Sequence, residues 1–159
     1  MQKYDVKISK LEPQLVVSAR EVVPIQERLS PTLYRLFDQL FGHLMYRHGL
    51  ALGELGAATC IYHSWDPQID VEAAIPIPRT VPGAEHARVY TLDGVETAAC
   101  LSYIGPLTTL HEGYQAIMQW IEANGYKMAG QNREINTVFV GDIHAAGNVT
   151  DLQIPILKV

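Results

Sequence analysis

The chain is poor in the residues that would narrow its chemistry. It has only two cysteines in 159 residues, Cys60 and Cys100. They make no Cys-x-x-Cys pair and no zinc spacing, which excludes a disulfide framework and a structural zinc site. Both read as free thiols of a reducing compartment. Basic residues are few as well. Lys and Arg number 12 against 17 Asp and Glu, a net charge of −5, and no basic cluster stands out. Binding driven by phosphates is excluded on that balance, so no direct nucleic-acid partner is expected. Acidic excess favours cationic partners instead. No apolar run follows Met1, and the weakly charged stretch from Gly49 to Trp65 is broken by Glu54 and several glycines. Neither a signal peptide nor a membrane span is predicted, and the expected location is the cytoplasm. Asn148-Val149-Thr150 matches a glycosylation sequon by chance in such a protein.

Catalytic and cofactor signatures are missing too. No Gly-x-Gly-x-x-Gly or P-loop pattern is found, and neither His-Glu-x-x-His nor Gly-x-Ser-x-Gly occurs. No cofactor and no metal is therefore expected. The 6 histidines are scattered. His43 and His48 are five residues apart, a spacing that puts them on different faces of a regular α-helix. His63, Ser64 and Asp66 are too close along one strand end to make a triad.

What is present is a core. Apolar residues make up 48% and charged residues 18%, which excludes a disordered chain. A chain of this length forms one domain and buries roughly 70% of its unfolded surface. Two amphipathic helices stand out. The first starts at Ser30-Pro31, carries the stripe Leu33, Leu36, Phe37, Leu40, Phe41, Leu44 and Met45, and ends at Gly49. The second starts at Thr109, where Thr109 and Glu112 fit a capping box, carries Leu110, Tyr114, Ile117, Met118 and Ile121, and ends at Gly125. These are i, i+3, i+4, i+7 patterns with left-handed glycine stops. Strand patterns surround both helices: Val6 to Ser9, Leu15 to Val23, Ala57 to His63, Ile69 to Ile77, Ala87 to Leu92, Val95 to Ile104, Arg133 to Val140 and Thr150 to Leu157. Asp93-Gly94 predicts a hairpin between the fifth and sixth of these.

The order ββαββ therefore occurs twice. Ile75-Pro76-Ile77 and Ile154-Pro155-Ile156 fall in the last strand of each copy, where a proline needs an edge or a bulge. The predicted fold is α+β: duplicated ββαββ antiparallel sheets with one helix per half and pseudo-twofold symmetry. A single domain over 1–159 is expected, with halves of about 3–78 and 86–158. The seam between such halves is a natural place for a concave site.

Two kinds of residue carry candidate chemistry. In Arg133-Glu134-Ile135-Asn136, alternation puts Glu134 and Asn136 on one face and Ile135 and Phe139 on the other. The more apolar set is expected to face the helix, which leaves Glu134 on the opposite face, turned to the seam. Desolvated there, its carboxylate serves as an acid/base or as the counter-charge of a cation. Glu72 is a second strand carboxylate, either solvent-facing or in the same cleft. Tyrosine is prominent, 8 against 3 Phe and 2 Trp. Tyr62, Tyr90 and Tyr103 in strands and Trp65 at a strand end offer flat faces for aromatic or cationic ligands. Tyr114 and Trp120 read as helix packing.

Ile61-Tyr62-His63, then Asp70-Val71-Glu72 leading to Ile75-Pro76, resembles the first half of GyrI-like effector-binding domains. Tyr103-Ile104-Gly105-Pro106-Leu107, then Tyr114, Trp120-Ile121, Gly125 and Arg133-Glu134-Ile135, resembles their second half. The resemblance runs from about Val6 to Pro155. Such domains form the ligand-sensing parts of AraC-type and MerR-type regulators, stand-alone gyrase-inhibitor-like proteins, and hydrolases of strained cyclopropane genotoxins. They hold bulky, flat, often cationic hydrophobic compounds on a central glutamate ringed by aromatics. The resemblance places that glutamate at Glu134 and implies a ligand site of Glu134, Tyr62, Tyr90, Tyr103, Trp65 and Asn136. Asn136 departs from the pattern, where a tyrosine is common. The chain starts so close to its first strand that a stand-alone member without a helix-turn-helix is expected. The expected function is binding of a hydrophobic or cationic small molecule. The alternative is a hydrolase in which Glu134 orients water, and the third is gyrase-inhibitor-like protein interaction.

Overall fold

The structure is a computed structural model and describes residues 4–159. Nine strands and two helices follow in the order β1 (Val6–Leu11), β2 (Gln14–Val23), α1 (Leu29–Phe41), β3 (Thr59–Ser64), β4 (Ile69–Pro76), β5 (Arg88–Leu92), β6 (Val95–Ile104), α2 (Leu110–Ala123), β7 (Tyr126–Met128), β8 (Asn132–Val138) and β9 (Val149–Lys158). The fold is α+β, and within each unit the described strands pair antiparallel. The chain divides into two compact units. One is Pro13–Asp93, and the other is Gly94–Val159 together with β1.

In the Pro13–Asp93 unit the sheet order is β3-β4-β2-β5. Alternation along β4 sends Val71, Ala73 and Ile75 toward α1. Leu36, Leu40 and Leu44 meet them, with Leu33, Phe37 and Phe41 flanking. That is the predicted stripe, closed by Gly49 at φ 68. The helix starts at Leu29, after a 3-10 turn over Gln26–Arg28, and no side chain caps it. Ser30 is thus already inside the helix rather than its cap. The opposite face of the sheet buries a second, smaller cluster of Val16, Ile61 and Ala74 beside Tyr90 and Leu92.

In the other unit the order is β1-β6-β9-β8, and β7 pairs with β9. Ala99, Leu101, Leu152, Ile154 and Ile156 pack against Ile117 and Ile121 of α2. Gly125 ends the helix segment at φ 78. The predicted capping box is not formed. The Thr109 hydroxyl donates to the Pro106 carbonyl and is bonded to the Tyr103 hydroxyl, and it caps no helix amide.

The predicted hairpin at Asp93-Gly94 is overturned. β5 pairs with β2, and β6 pairs with β1 and β9. The two strands belong to different units, so long-range pairing outweighs a local turn signal.

Both prolines of the Ile-Pro-Ile segments sit where one neighbouring strand has stopped. The Pro76 carbonyl accepts from the Gly56 amide at 2.8 Å, and the Pro155 carbonyl accepts from the Ala129 amide at 2.8 Å. A glycine lies flat on each proline ring. A β-carbon on Gly56 would stand 2.6 Å from Pro76 Cβ, and one on Gly130 would stand 3.2 Å from Pro155 Cβ. A proline ring has little freedom to yield. Gly56→Ala is therefore expected to cost about 1–3 kcal/mol in denaturant unfolding. Gly53→Ala, with open space around it, should stay within about 0.5 kcal/mol of wild type.

Candidate functional site: two buried carboxylates

Each unit contains a glutamate removed from water. In the unit that ends at Val159, Glu134 lies in β8 directly opposite Leu152 of β9. Leu152 is part of the core under α2, so Glu134 points to the helix side. This corrects the sequence expectation, which turned it away from the helix. The apolar Ile135 and Phe139 misled the alternation. Phe139 lies beyond the end of β8 and is 40% exposed, so it anchors no buried face.

Glu134 is 9% exposed. The Tyr114 hydroxyl of α2 donates to Glu134 Oε2. Asn132 Nδ2 in turn donates to the Tyr114 oxygen at 2.8 Å. The result is a relay from Asn132 through Tyr114 to the carboxylate, with both strand members on the helix-facing side. A carboxylate so placed can neutralise a cation or accept a proton. Asn136, two residues on, shares its face and is half-buried opposite Thr150. Thr150 Oγ1 is buried with no hydrogen-bond partner.

In the other unit Glu72 of β4 lies on the face away from α1. It is 5% exposed. His63 of β3 bonds its Oε1 at 2.8 Å, and the Tyr90 hydroxyl of β5 donates to its Oε2. Ser18 of β2 is a third hydrogen-bond partner. One carboxylate thus ties together all four strands of that sheet. Burial pushes its pKa up, but the hydrogen bonds from Tyr90, His63 and Ser18 outweigh burial and hold it below the usual glutamate range. Burial and the bond to Glu72 push the Tyr90 phenol above its ordinary value. The Arg88 guanidinium stacks on the Tyr90 ring at 4.3 Å.

The predicted aromatics part company here. Tyr62 packs on the α1 side with Val23, Cys60, Ile69 and Val71, and Trp65 stacks on it with ring centroids 4.1 Å apart. Trp65 itself is 45% exposed. Tyr90 lies on the other face of the same sheet, so a ligand held on the Tyr62 face does not meet it. Tyr103 is 3% exposed and belongs to the core under α2. Gly113 and Gly105 are pressed against its ring.

Three residues escaped the sequence reading as site members. Tyr114 stood in the helical stripe, and its hydroxyl gave no signal of a partner. Asn132 immediately precedes the Arg-Glu-Ile run. Glu72 was left between solvent and cleft, and it is neither exposed nor on the helix side. A further correction concerns His43 and His48. The segment Gly42–Arg47 is a π-helix, not a continuation of α1. Its wider turn brings residues five apart onto one face, and the two rings meet edge-on with centroids 4.6 Å apart.

The Glu134 site is thus a buried, hydrogen-bonded carboxylate beneath an amphipathic helix on an α+β scaffold. The sequence matches the GyrI-like small molecule binding domain over residues 4–157, and the chain belongs to that family. No curated protein matches it. Among solved structures, the C-terminal domain of EcmrR is similar at TM-score 0.79 and 21% identity, over 99% of this chain and 100% of that one. EcmrR in a DNA complex is similar at TM-score 0.82 and 23% identity, over 98% of this chain. The present chain spans 58% of that longer EcmrR chain. SAV2435 bound to tetraphenylphosphonium is similar at TM-score 0.69 and 13% identity, over 98% of this chain and 94% of that one. These likenesses show the fold. No helix among the described residues is long and apolar enough to cross a membrane.

The Glu72 network makes a pH prediction. A carboxyl held below its ordinary pKa contributes stability that is complete above the unfolded value and is lost as pH falls through the folded value. Wild type should lose thermal stability on acidification below the ordinary glutamate range. Glu72→Gln should be less stable near neutrality by about 1–3 kcal/mol, because one of the two accepting oxygens becomes an NH2 donor facing another donor and the charge is lost. It should also lose less on acidification. Melting curves across pH test both, and parallel pH profiles for the two proteins would refute the assignment.

Proposed function

We propose that the protein binds bulky, flat, hydrophobic cations, with Glu134 as the counter-charge. The observation that carries this reading is the Tyr114–Glu134 hydrogen bond, braced by Asn132. It holds an acidic group in place inside a family that binds small molecules. The bound tetraphenylphosphonium of SAV2435 supports the ligand class. Asn136, on the same face of β8, supplies a polar contact in this proposal, which makes no use of Tyr62 and Trp65 of the Pro13–Asp93 unit. Tyr90 and Tyr103 are left out, because one serves Glu72 and the other the core.

The energetics are adequate. A cation over an aromatic ring contributes about 0.5–2 kcal/mol. Burying about 250 Å² of apolar ligand surface at 25 cal/mol per Å² adds about 6 kcal/mol. These gains are set against the several kcal/mol that association costs in lost freedom, so the Glu134 charge has to add to them for a micromolar complex, roughly 8 kcal/mol net.

The Tyr114–Glu134 donor–acceptor pair also favours a second reading. Glu134 would take a proton from water as the water oxygen bonds a cyclopropane carbon; the strained C–C bond breaks, the released carbon takes the Tyr114 hydroxyl proton, and the Glu134 carboxyl returns a proton to Tyr114. Incubation with an activated cyclopropane compound and product analysis separates the two readings. Turnover lost in Glu134→Gln supports hydrolysis, and turnover equal to the buffer control rejects it.

For binding, calorimetric titration with tetraphenylphosphonium and with neutral triphenylphosphine oxide is the test. Glu134→Gln should weaken the cation at least tenfold, about 1.4 kcal/mol, and leave the neutral compound nearly unchanged. Equal weakening of both compounds by Glu134→Gln would remove the charge from the account.

A further inference from the structure

The π-helical turn after α1 has no part in the proposed function, yet it builds an unusual cluster. His43 lies inside that turn and is 4% exposed. Its Nε2 bonds the Pro82 carbonyl at 2.8 Å. A carbonyl only accepts, so Nε2 carries the proton and Nδ1 keeps its lone pair. That Nδ1 is buried and has no partner. Around the same ring stand two more imidazoles. His48 is 4.6 Å away and His86 is 6.2 Å away, centroid to centroid, both edge-on.

We infer that His43, His48 and His86 form a binding site for a borderline divalent cation such as Zn²⁺ or Ni²⁺, a class that imidazole nitrogens suit. Three features support it. The backbone carbonyl of Pro82 fixes the tautomer and orientation of His43, as outer-shell carbonyls do for metal-bound histidines. A buried imidazole nitrogen without a donor is costly to leave unpaired, and a cation would satisfy it. The spacing is close to what is needed. Two imidazoles on one ion with bonds of about 2.0–2.1 Å have centroids about 5 Å apart, and the observed 4.6 and 6.2 Å bracket that value.

The cluster is a half-site rather than a finished one. Among the described residues, no three His, Cys, Asp or Glu donors already stand where they could share one ion. His43 and His48 are set by the π turn. His86 must swing in by about an ångström to reach the spacing above, and it is an exposed residue of the loop before β5. Of the three histidines only His86 lines a neighbouring cavity of about 370 Å³, which also carries Glu85, Arg35 and Arg88.

The experiment is calorimetric titration of the tag-free full chain with Zn²⁺, paired with Co²⁺ absorption spectra. His48 and His86 are partly or fully exposed, so their alanine variants should fold, and circular dichroism checks this. The expected result is one saturable site. Its affinity should drop at least tenfold in His48→Ala and in His86→Ala. Affinity should hold in His111→Ala and His144→Ala, two exposed histidines outside the cluster. Co²⁺ should give visible absorption bands in wild type that His48→Ala loses. No saturable binding, or equal binding by His48→Ala and His86→Ala, would overturn the proposal.

Discussion

A carboxylate taken out of water must be given hydrogen-bond donors, and that requirement shapes both units. Glu72 receives donors from β2, β3 and β5 while sitting on β4. The sheet of that unit is therefore fixed in register around one charge. Slipping any strand by one residue would reverse its faces and strip the carboxylate of a partner. Glu134 is supplied differently. Its donor comes from the helix, and the helix residue is in turn held by Asn132 of the same strand. The first arrangement spreads a charge over a sheet and reads as architecture. The second presents a charge under a helix, braced from its own strand.

The helices and most strands were legible in the sequence, because their patterns are local. Leu36, Leu40 and Leu44 announce the buried face of α1, and Gly49 and Gly125 announce the stops. The misreadings have a common cause, which is information the local pattern does not carry. Asp93-Gly94 is a good turn dipeptide, but β5 and β6 find their partners far away in the chain. Ile135 and Phe139 make one face of β8 look apolar, but the register with Leu152 decides which face meets the helix. His43 and His48 look separate under a 3.6-residue period, and only the π turn joins them.

The candidate site was legible in part for the same reason. Glu134 stood out through the Arg-Glu-Ile run and the resemblance that run supports. Its partner Tyr114 did not, since a tyrosine in a helical stripe looks the same whether its hydroxyl meets water or a carboxylate. Tyr62, Tyr90 and Tyr103 were chosen by residue type. The structure gives them three environments: the α1-facing side of one sheet, the opposite side of that sheet, and the core under α2. Aromatic composition points to a class of ligand, whereas burial and face decide which rings are available to it.

The central claim is that ligand charge is read by Glu134 and not by Glu72. Carboxyl-labelled glutamate makes both groups visible by carbon NMR, with Glu134→Gln and Glu72→Gln assigning the two signals. On titration with tetraphenylphosphonium, the Glu134 carboxyl resonance should move in step with saturation while the Glu72 resonance stays in place. A saturable complex that leaves the Glu134 resonance unmoved would contradict the account.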